Sequence, residues 1–350
     1  QQREIQMSGS LAQHADEGPT TELPIEHRDV IIVGAGLSGI GAACHLTEKC
    51  PDRNYLILES RKAMGGTWDL FRYPGIRSDS DMHTLGYSFK PWEGAKAIAD
   101  GPSIVDYVRE TAAEHAVDQH IRYGHRLLSA SWSSAQSIWT LEIRQFDSDK
   151  TVQMTCNFLY MCSGYYSYET PHDPKFPEVA SFKGQVIRPQ FWPEDLDYHD
   201  KTVVIIGSGA TAMTLVPAMA KKAKQVTMLQ RSPTYVLSRP SEDWFANGLR
   251  KIMPSSWAYA VTRFRNTLFQ EFLFKQARKY PAMAKHLLIR QLRKQLGKDY
   301  DVEKHFTPSY NPWDQRLCLV PDDDLFKAIN SGSATVVTDH IQRFTETGIE

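Results

Sequence analysis

The chain is poor in cysteine, nearly neutral, and without a long apolar run. Its five cysteines include no CxxC pair, which favours a reducing compartment and indicates neither a disulfide framework nor a metal site. A formal net charge of −1 excludes a nucleic-acid-binding protein that works through overall positive charge. No apolar stretch approaches the ~20 residues of a membrane-spanning helix, and no secretion signal is evident. We therefore expect a cytoplasmic protein that does not bind nucleic acid.

What is present is enough chain for more than one core. The 350 residues are 41% hydrophobic and 23% charged, as is ordinary for a soluble protein with two domains. Residues 1–27 are polar, and the first methionine is Met7. We therefore predict that 1–27 form a flexible lead-in whose amino end is not native.

A first glycine fingerprint follows the β-branched run DVIIV, which is typical of a buried strand. Gly34, Gly36 and Gly39 are spaced to turn the chain, to admit a pyrophosphate and to pack a helix on the sheet. A second short strand ends at Glu59, 20 residues past Gly39, where a ribose-binding carboxylate is expected. Because this acid would repel a 2′-phosphate, the pocket favours FAD or NAD over NADP.

A loop rich in glycine and charge comes next. It includes Gly66, Thr67 and Trp68 and continues through the run RYPGIRSDSD, which contains Asp79. Loops at the carboxyl ends of strands commonly carry a site. The alternative is a solvated surface loop with scattered ion pairs.

The second fingerprint differs from the first at its ribose end. Gly207 and Gly209 follow the run KTVVII, and Ala212 takes the place of the third glycine. The next strand leads into Gln-Arg-Ser without an acid at its tip. Arg231 and Ser232 are expected to bind a 2′-phosphate, which predicts an NADP pocket. Alternatively, Arg231 is a surface residue paired with an acid.

The segment between the fingerprints, FKGQVIRPQFWP, resembles the FxGxxxHxxxWP signature of Baeyer–Villiger monooxygenases, which are class B flavin-dependent monooxygenases. The matching positions are Phe182, Gly184, Trp192 and Pro193. Segments 65–68, 72–81, 162–166 and 311–316 also resemble the family. Arg188 stands at the histidine position of the signature. That histidine is thought to help couple the nucleotide domains, and arginine cannot supply a neutral imidazole, so weakened NADPH coupling is expected.

The resemblance implies an α/β fold with two Rossmann-like dinucleotide-binding domains, one for FAD and one for NADP, and a helical insertion. The expected divisions are 28–170 for the first part of the FAD domain, 171–240 with 301–340 for the NADP domain, 241–300 for the insertion, and 341–350 for the start of a return to the FAD domain. The last ten residues look like a hairpin cut after its turn. We therefore expect an FAD domain that is incomplete at its C-terminus.

The resemblance also implies a reaction with named residues. NADPH at the second fingerprint would reduce FAD at the first, and O2 would then give a C4a-peroxyflavin. This species converts ketones to esters or lactones, or oxygenates sulfides and thioamides at sulfur. The family's active-site arginine falls on Arg316 and its supporting aspartate on Asp79. A fixed positive charge suits a peroxide anion.

Three alternatives remain open for this site and its function. Arg316 could instead form a salt bridge with Asp314 or with the acids of 322–324. An uncoupled NADPH oxidase that releases H2O2, or a non-catalytic nucleotide-binding fragment, would have the same fingerprints. The sequence has no motif that identifies the substrate or the oligomeric state.

Residues 241–300 interrupt the Rossmann pattern with basic, aromatic-rich sequence. They contain twelve Lys or Arg and four Asp or Glu, and helices are expected over 264–279 and 286–296. Such helices could contact a membrane surface peripherally. The interpretation we prefer here is a helical subdomain that covers the active site and has a solvated basic face.

Overall fold

The computed structural model describes residues 25–350. Its strands are β1 Glu26–Val33, β2 Tyr55–Leu58, β3 Ile121–Arg122, β4 His125–Ser133, β5 Ile138–Gln145, β6 Lys150–Met161, β7 Thr202–Ile206, β8 Gln225–Gln230, β9 Tyr235–Arg239, β10 Leu317–Pro321 and β11 Ala334–Thr338. Its helices are α1 Leu37–Lys49, α2 Thr67–Leu70, α3 Met82–Leu85, α4 Gly101–Glu114, α5 Ala210–Met219, α6 Trp244–Leu249, α7 Ser255–Lys279, α8 Pro281–Leu296, α9 Val302–Phe306 and α10 Asp324–Asn330. None of these helices is long and apolar enough to cross a lipid bilayer.

The first unit is a six-stranded sheet in the order β3-β2-β1-β6-β5-β4. β1 pairs in parallel with β2 and β6, whereas β5 pairs antiparallel with β4 and β6. One face buries Ile32 with Ile40 of α1 and Val108 of α4, and the other buries Ile31 with Leu141 of β5. The β-branched run of β1 is therefore buried on both faces, as its sequence predicts.

The amino end of β1 corrects one predicted boundary. Glu26 and His27 pair with Met154 and Thr155 of β6, so the predicted lead-in over 1–27 is wrong at its last two residues. The Glu26 carboxylate accepts two 2.7 Å hydrogen bonds from Arg122, and this contact lowers the pKa of Glu26. Residues 1–24 of the predicted lead-in lie outside the described residues.

The second unit is built on a parallel three-stranded sheet, β11-β8-β7, beside a parallel pair, β9 and β10. Helices α5 and α10 pack on these strands, and Val216, Phe326 and Val236 are buried in the shared core. Each unit therefore has a sheet of parallel strands with a fingerprint after its first strand. This arrangement confirms the predicted fold class of two Rossmann-like units.

Four helices, α6 to α9, lie between β9 and β10, and the first three fall within the predicted insertion. α7 begins at Ser255, immediately after Pro254, and so starts nine residues before the predicted helix. It packs on α3, where Nη1 of Arg263 donates to the carbonyl oxygens of His83 and Gly86, each at 2.8 Å. The insertion is therefore fixed to the first unit.

The last ten residues form a tight hairpin in which Phe344 bridges to Ile349. The Phe344 N–H donates to the Pro177 carbonyl at 3.0 Å, and the Phe344 ring packs against Phe182. The segment predicted to begin a return to the first domain therefore packs on residues 162–201, which join β6 to β7 and which we call the linker. The linker supplies its backbone and aromatic partners.

Candidate active site between the two nucleotide pockets

The first fingerprint forms a tight backbone cradle at the carboxyl end of β1. Gly34 has a φ of +105°, and a Cβ there would come within 2.5 Å of the Cys162 carbonyl oxygen, so only glycine fits this turn. Glu59 is 2% exposed. Its carboxylate accepts from the Ala35 N–H and the Arg61 N–H, each at 2.8 Å. The carboxylate predicted to bind ribose therefore contacts the fingerprint turn at Ala35.

The predicted Gly66–Trp68 segment lies directly against this cradle. α2 begins at Thr67, and a Cβ on Gly66 would approach the Gly36 backbone to 3.0 Å. The Tyr168 hydroxyl reaches the same place, 3.7 Å from that Cβ position. The Arg61 guanidinium lies 5.7 Å from the centroid of the Tyr168 ring. Sequence analysis missed Tyr168 and Arg61, which lie outside the glycine motifs.

Three arginines surround one buried carboxylate of α2. Asp69 is 3% exposed. Its oxygens lie 2.8 Å from Arg61, 2.9 Å from Arg72 and 3.1 Å from Arg109. Because these arginines come from different segments, Asp69 joins the Glu59 turn, α2 and α4.

The second fingerprint has an open ribose end. The Gly207 N–H donates to the Leu229 carbonyl at 2.8 Å, and Ala212 is buried in the core of the second unit. Arg231 and Ser232 are exposed. Within residues 25–350 no carboxylate forms an ion pair with Arg231, which excludes the alternative of a surface salt bridge in this part of the chain.

The loop after α2 docks on the second unit. Tyr73 is buried in the second unit's core, and a Cβ on Gly75 would lie 2.7 Å from the Ala218 Cβ of α5. Arg77 forms a two-pronged ion pair with Asp324 at the start of α10. The alternative of a solvated surface loop is thereby excluded for these residues, and the loop carries Asp79 to the second unit.

Asp79 and Arg316 both act electrostatically on the same buried thiol, that of Cys318. Burial raises the pKa of Cys318 to about 11, while Arg316 lowers it and Asp79 raises it to a smaller extent. A Cβ on Gly209 would collide with the Arg316 guanidinium, which places this arginine against the second fingerprint. Both side chains predicted to be catalytic therefore lie within electrostatic range of Cys318, and Arg316 also lies against the second fingerprint.

The expected direct support of Arg316 by Asp79 is not observed. No ion pair within 4.0 Å joins them in the described part of the chain, because the guanidinium lies against Gly209 instead. The alternative salt bridges of Arg316 are also excluded. Asp314 pairs with Arg278, and Asp324 pairs with Arg77.

Tyr166, in the segment 162–166 that resembles the family, is a further side chain near Arg316. Its ring lies edge-on to Phe71, with centroids 5.1 Å apart. Burial raises the pKa of Tyr166 to about 12, and Arg316 opposes this rise. A neutral phenol therefore lies within electrostatic reach of Arg316.

The signature segment forms the linker between the units. The Phe182 ring packs on Gly184, where a Cβ would lie 2.5 Å from it, and Trp192 packs on the core of the second unit. Pro193 closes a turn by accepting from the Leu196 N–H at 3.2 Å. Arg188 forms an ion pair with Asp173. The residue at the histidine position thus binds within the linker.

A buried carboxylate fixes the loop of Asp79 to the helical insertion. Asp81 caps α3 through the Thr84 N–H at 3.1 Å. It also accepts from the amides of Asn266 at 3.0 Å and Gln270 at 2.7 Å, both on α7. The His83 Nδ1 lies 3.7 Å from the Asp81 carboxylate.

We expect the contacts of the Asp81 carboxylate to contribute less stability in acid. Burial raises the pKa of Asp81, but His83, Asn266 and Thr84 together lower it to about 2. A folded-state pKa below the unfolded value gives stability that is complete above about pH 4 and is lost as the pH falls towards 2. The difference between the folded-state and unfolded-state pKa of Asp81 corresponds to about 2 kcal/mol of folding stability. Thermal melts from pH 2 to 5 should show this loss in the wild type and much less of it in Asp81→Asn.

Asp79 is exposed and lies two residues before Asp81. Asp79→Asn is therefore the matched control and should keep the wild-type pH profile. An Asp81→Asn profile parallel to that of the wild type would contradict the assignment of this pH dependence to Asp81.

Comparisons with known proteins agree with this geometry. The flavin-binding monooxygenase-like family matches residues 96–349, and an NAD(P)-binding Rossmann-like domain matches residues 32–98. The FAD-containing monooxygenase EthA of Mycobacterium tuberculosis is 54% identical over 325 residues, which cover 93% of this chain and 66% of that protein. The probable FAD-binding monooxygenase AlmA of Acinetobacter baylyi is 51% identical, with coverages of 93% and 65%. The chain thus spans about two thirds of the length of these relatives.

Solved structures share the fold. A steroid monooxygenase bound to NADP superposes with a TM-score of 0.74 at 23% identity, covering 93% of this chain and 68% of that one. The cyclohexanone monooxygenase of Rhodococcus sp. Phi1 bound to NADP+ gives 0.73 at 20% identity, with the same coverages. The predicted family is confirmed, since the matching family profile covers more than half of the sequence: the chain belongs to the flavin-binding monooxygenase-like family.

Proposed function

We propose that this chain holds FAD at the first fingerprint and NADPH at the second, as part of a flavin monooxygenase that uses O2. Its substrates would be ketones, converted to esters or lactones, or sulfides and thioamides, oxygenated at sulfur. The observation that carries the proposal is the docking of the loop containing Gly75 and Arg77 on α5 and α10. This docking brings the loop that carries Asp79 onto the second unit, in which Arg316 lies against the second fingerprint.

The residues present fit these two cofactors. The Gly34 turn and the Glu59 carboxylate form a cradle for a nucleotide without a 2′-phosphate. The exposed Arg231 and Ser232 offer a guanidinium fork and a hydroxyl to a 2′-phosphate. When bound, reduced flavin supplies the electrons that activate O2.

Each side chain of the site then has a physical task. Arg316 places a charge that cannot lose its proton where negative charge develops on oxygen. Asp79 limits the net positive charge around it. The loop contacts of Tyr73 and Gly75 hold the two units at a fixed separation, because electron transfer between cofactors requires them to be close and oriented.

A direct test is to purify the protein with added FAD and to follow its absorbance spectrum and its products. We expect a yellow protein that consumes NADPH and converts cyclohexanone to its lactone or thioanisole to its sulfoxide, as identified by mass spectrometry. A colourless protein that takes up no FAD would overturn the proposal.

An NADPH oxidase is the second candidate, and one observation favours it. Arg188 pairs with Asp173 in the linker. A guanidinium that stays charged therefore stands where the family signature has a histidine. The same experiment decides between the two, since recovery of oxygen only as H2O2 would favour the oxidase and reject the monooxygenase.

We further propose a cytoplasmic protein that contacts anionic membranes peripherally through α7. Apolar side chains at helical spacing form a continuous exposed stripe along this helix, which we call the α7 stripe: Trp257, Val261, Phe264, Leu268 and Phe272. The surrounding insertion, with twelve Lys or Arg and four Asp or Glu, has the charge that complements anionic lipid. The exposed stripe favours lipid contact over a merely solvated basic face.

The protein is expected to co-sediment at low salt with phosphatidylglycerol vesicles and not with phosphatidylcholine vesicles. Replacing Trp257 and Phe264 together by glutamine removes two of the largest members of the stripe and should lower vesicle partitioning by about 10-fold. Trp132→Gln, at an exposed tryptophan of β4, is the matched control. Absence of wild-type binding to the anionic vesicles would end this proposal.

A further inference from the structure

The carbonyl group of Arg316 accepts from two side-chain hydroxyls at the start of β10. Arg316 comes immediately before this strand, whose pairing with β9 begins at Leu317 opposite Tyr235. The Arg316 carbonyl oxygen accepts from the Tyr310 hydroxyl at 3.0 Å and from the Thr234 hydroxyl at 3.3 Å. These two hydroxyls therefore hold the backbone of the residue that presents the guanidinium.

Tyr310 closes the loop that ends at Arg316. Its hydroxyl reaches the carbonyl of the sixth residue after it, so the segment 310–316 is joined at its two ends. Within the segment, the Asp314 N–H donates to the Asn311 carbonyl at 3.0 Å and forms a turn. The loop is thus compact, and its geometry at Arg316 depends on the Tyr310 hydroxyl.

Tyr310 is itself anchored to the core of the second unit. Tyr235 is fully buried in that core, and its hydroxyl donates to the Tyr310 carbonyl at 2.7 Å. The two rings meet edge to face, with centroids 5.4 Å apart. Burial raises the pKa of Tyr235 to about 12, so its hydroxyl keeps its proton at neutral pH and remains a donor. A series of contacts therefore runs from the buried core through Tyr310 to Arg316.

The same contacts reach the segment predicted to bind a 2′-phosphate. Thr234 lies two residues after Ser232 and is 4% exposed, and its hydroxyl is 2.9 Å from that of Tyr310. The Ser232 carbonyl accepts from the Ser208 hydroxyl of the second fingerprint at 3.1 Å. One short segment therefore contacts both the fingerprint and the Arg316 carbonyl.

We infer that Tyr310 is a positioning residue for Arg316. Its hydroxyl fixes the backbone of Arg316, and this backbone sets where the guanidinium lies against Gly209. Because an arginine side chain has many rotamers, a fixed backbone limits the places that its charge can occupy. A charge that is already in place is the more effective toward negative charge that develops on oxygen. The inference rests on the proposed function, and it makes the yield of product over H2O2 depend on Tyr310.

The test measures oxygenated product and H2O2 per NADPH in the FAD-loaded protein. Tyr310→Phe removes one hydroxyl and should lower product per NADPH by about 3- to 10-fold, with a rise in H2O2, while NADPH consumption continues. Adding Thr234→Val removes the second hydroxyl and should deepen the loss, whereas adding Thr234→Ser keeps a hydroxyl there and should not.

Tyr300→Phe is the matched control for the loss of a phenol hydroxyl. Tyr300 packs on the same core, and its buried hydroxyl has no hydrogen-bond partner in the part of the chain that the structure describes. Its removal should therefore leave product per NADPH at the wild-type value.

A role that acts through Arg316 predicts effects that do not add. In the Arg316→Ala background no guanidinium is left to position, so Tyr310→Phe should lower product by less than about 2-fold further. A thermal melt checks that Tyr310→Phe folds. If it does not, Thr234→Val alone takes its place, since it also removes a donor to the Arg316 carbonyl.

Two results would overturn the inference and leave the proposed function intact. One is an unchanged product yield in Tyr310→Phe, and the other is a loss in the Arg316→Ala background as large as that in the wild type. A wild-type protein that forms no oxygenated product overturns both the inference and the proposed function.

Discussion

Arg316→Ala is expected to reduce oxygenated product by at least about 100-fold while NADPH consumption continues. Arg316 lies against Gly209 of the second fingerprint and within reach of Cys318 and Tyr166, where it supplies the fixed positive charge of the proposed site. Loss of one such preorganised charge or donor typically costs 10² to 10³ in rate. Electrons would then leave as H2O2, so the ratio of peroxide to product should rise.

Arg316→Lys keeps the charge but not the planar fork, and it is expected to fall between wild type and alanine. Arg278→Ala is the matched control, because Arg278 pairs with Asp314 in the same region but does not contact the second fingerprint. It should keep most of the product yield.

The same measurement separates a catalytic from a nucleotide-binding role of Arg316. If its contact with Gly209 served only the nucleotide, Arg316→Ala would raise KM for NADPH and leave product per NADPH unchanged. An Arg316→Ala variant whose product yield stays within about 3-fold of the wild type would remove Arg316 from the oxygenation step.

The local parts of the fold could be predicted from the sequence because each depends on neighbouring residues. A β-branched strand, a glycine turn and a helix start within one run of residues, and both fingerprints are folded as predicted. Element ends were less predictable. Glu26 joins β1 only because β6, more than 100 residues later, offers it a partner.

The site itself depends on contacts between distant segments, which no local pattern encodes. Tyr73 lies in a loop of the first unit, yet it is buried in the core of the second. Arg316 lies against Gly209 of the second fingerprint, a contact between segments that are far apart in the sequence. The sequence could therefore predict the two fingerprints and the cofactors, but not the contacts that join these distant segments.

The second large effect is expected for stability, at Asp69. Asp69→Ala would leave Arg61, Arg72 and Arg109 clustered without their shared carboxylate. Removing one partner of a buried ion pair typically costs about 3 to 5 kcal/mol, and the lower end applies here because Arg72 and Arg109 are about half exposed. For a unit of this size that is a fall of roughly 10 °C in Tm. Asp106→Asn, at an exposed acid that also faces Arg109, should change the free energy of unfolding by less than about 0.5 kcal/mol.

A double-mutant cycle shows whether charge clustering is the cause. Arg109→Gln alone removes the ion pair with Asp69. In the Asp69→Ala background it instead removes one of three repelling charges. The double mutant should therefore lose less stability than the sum of the two single-mutant losses. Added salt should restore part of the stability of Asp69→Ala by screening the remaining arginines. A cost below about 1 kcal/mol for Asp69→Ala, or strict additivity with Arg109→Gln, would show that the cluster is no stronger than a surface ion pair. In that case α2 is held against the Glu59 turn by its backbone contacts alone.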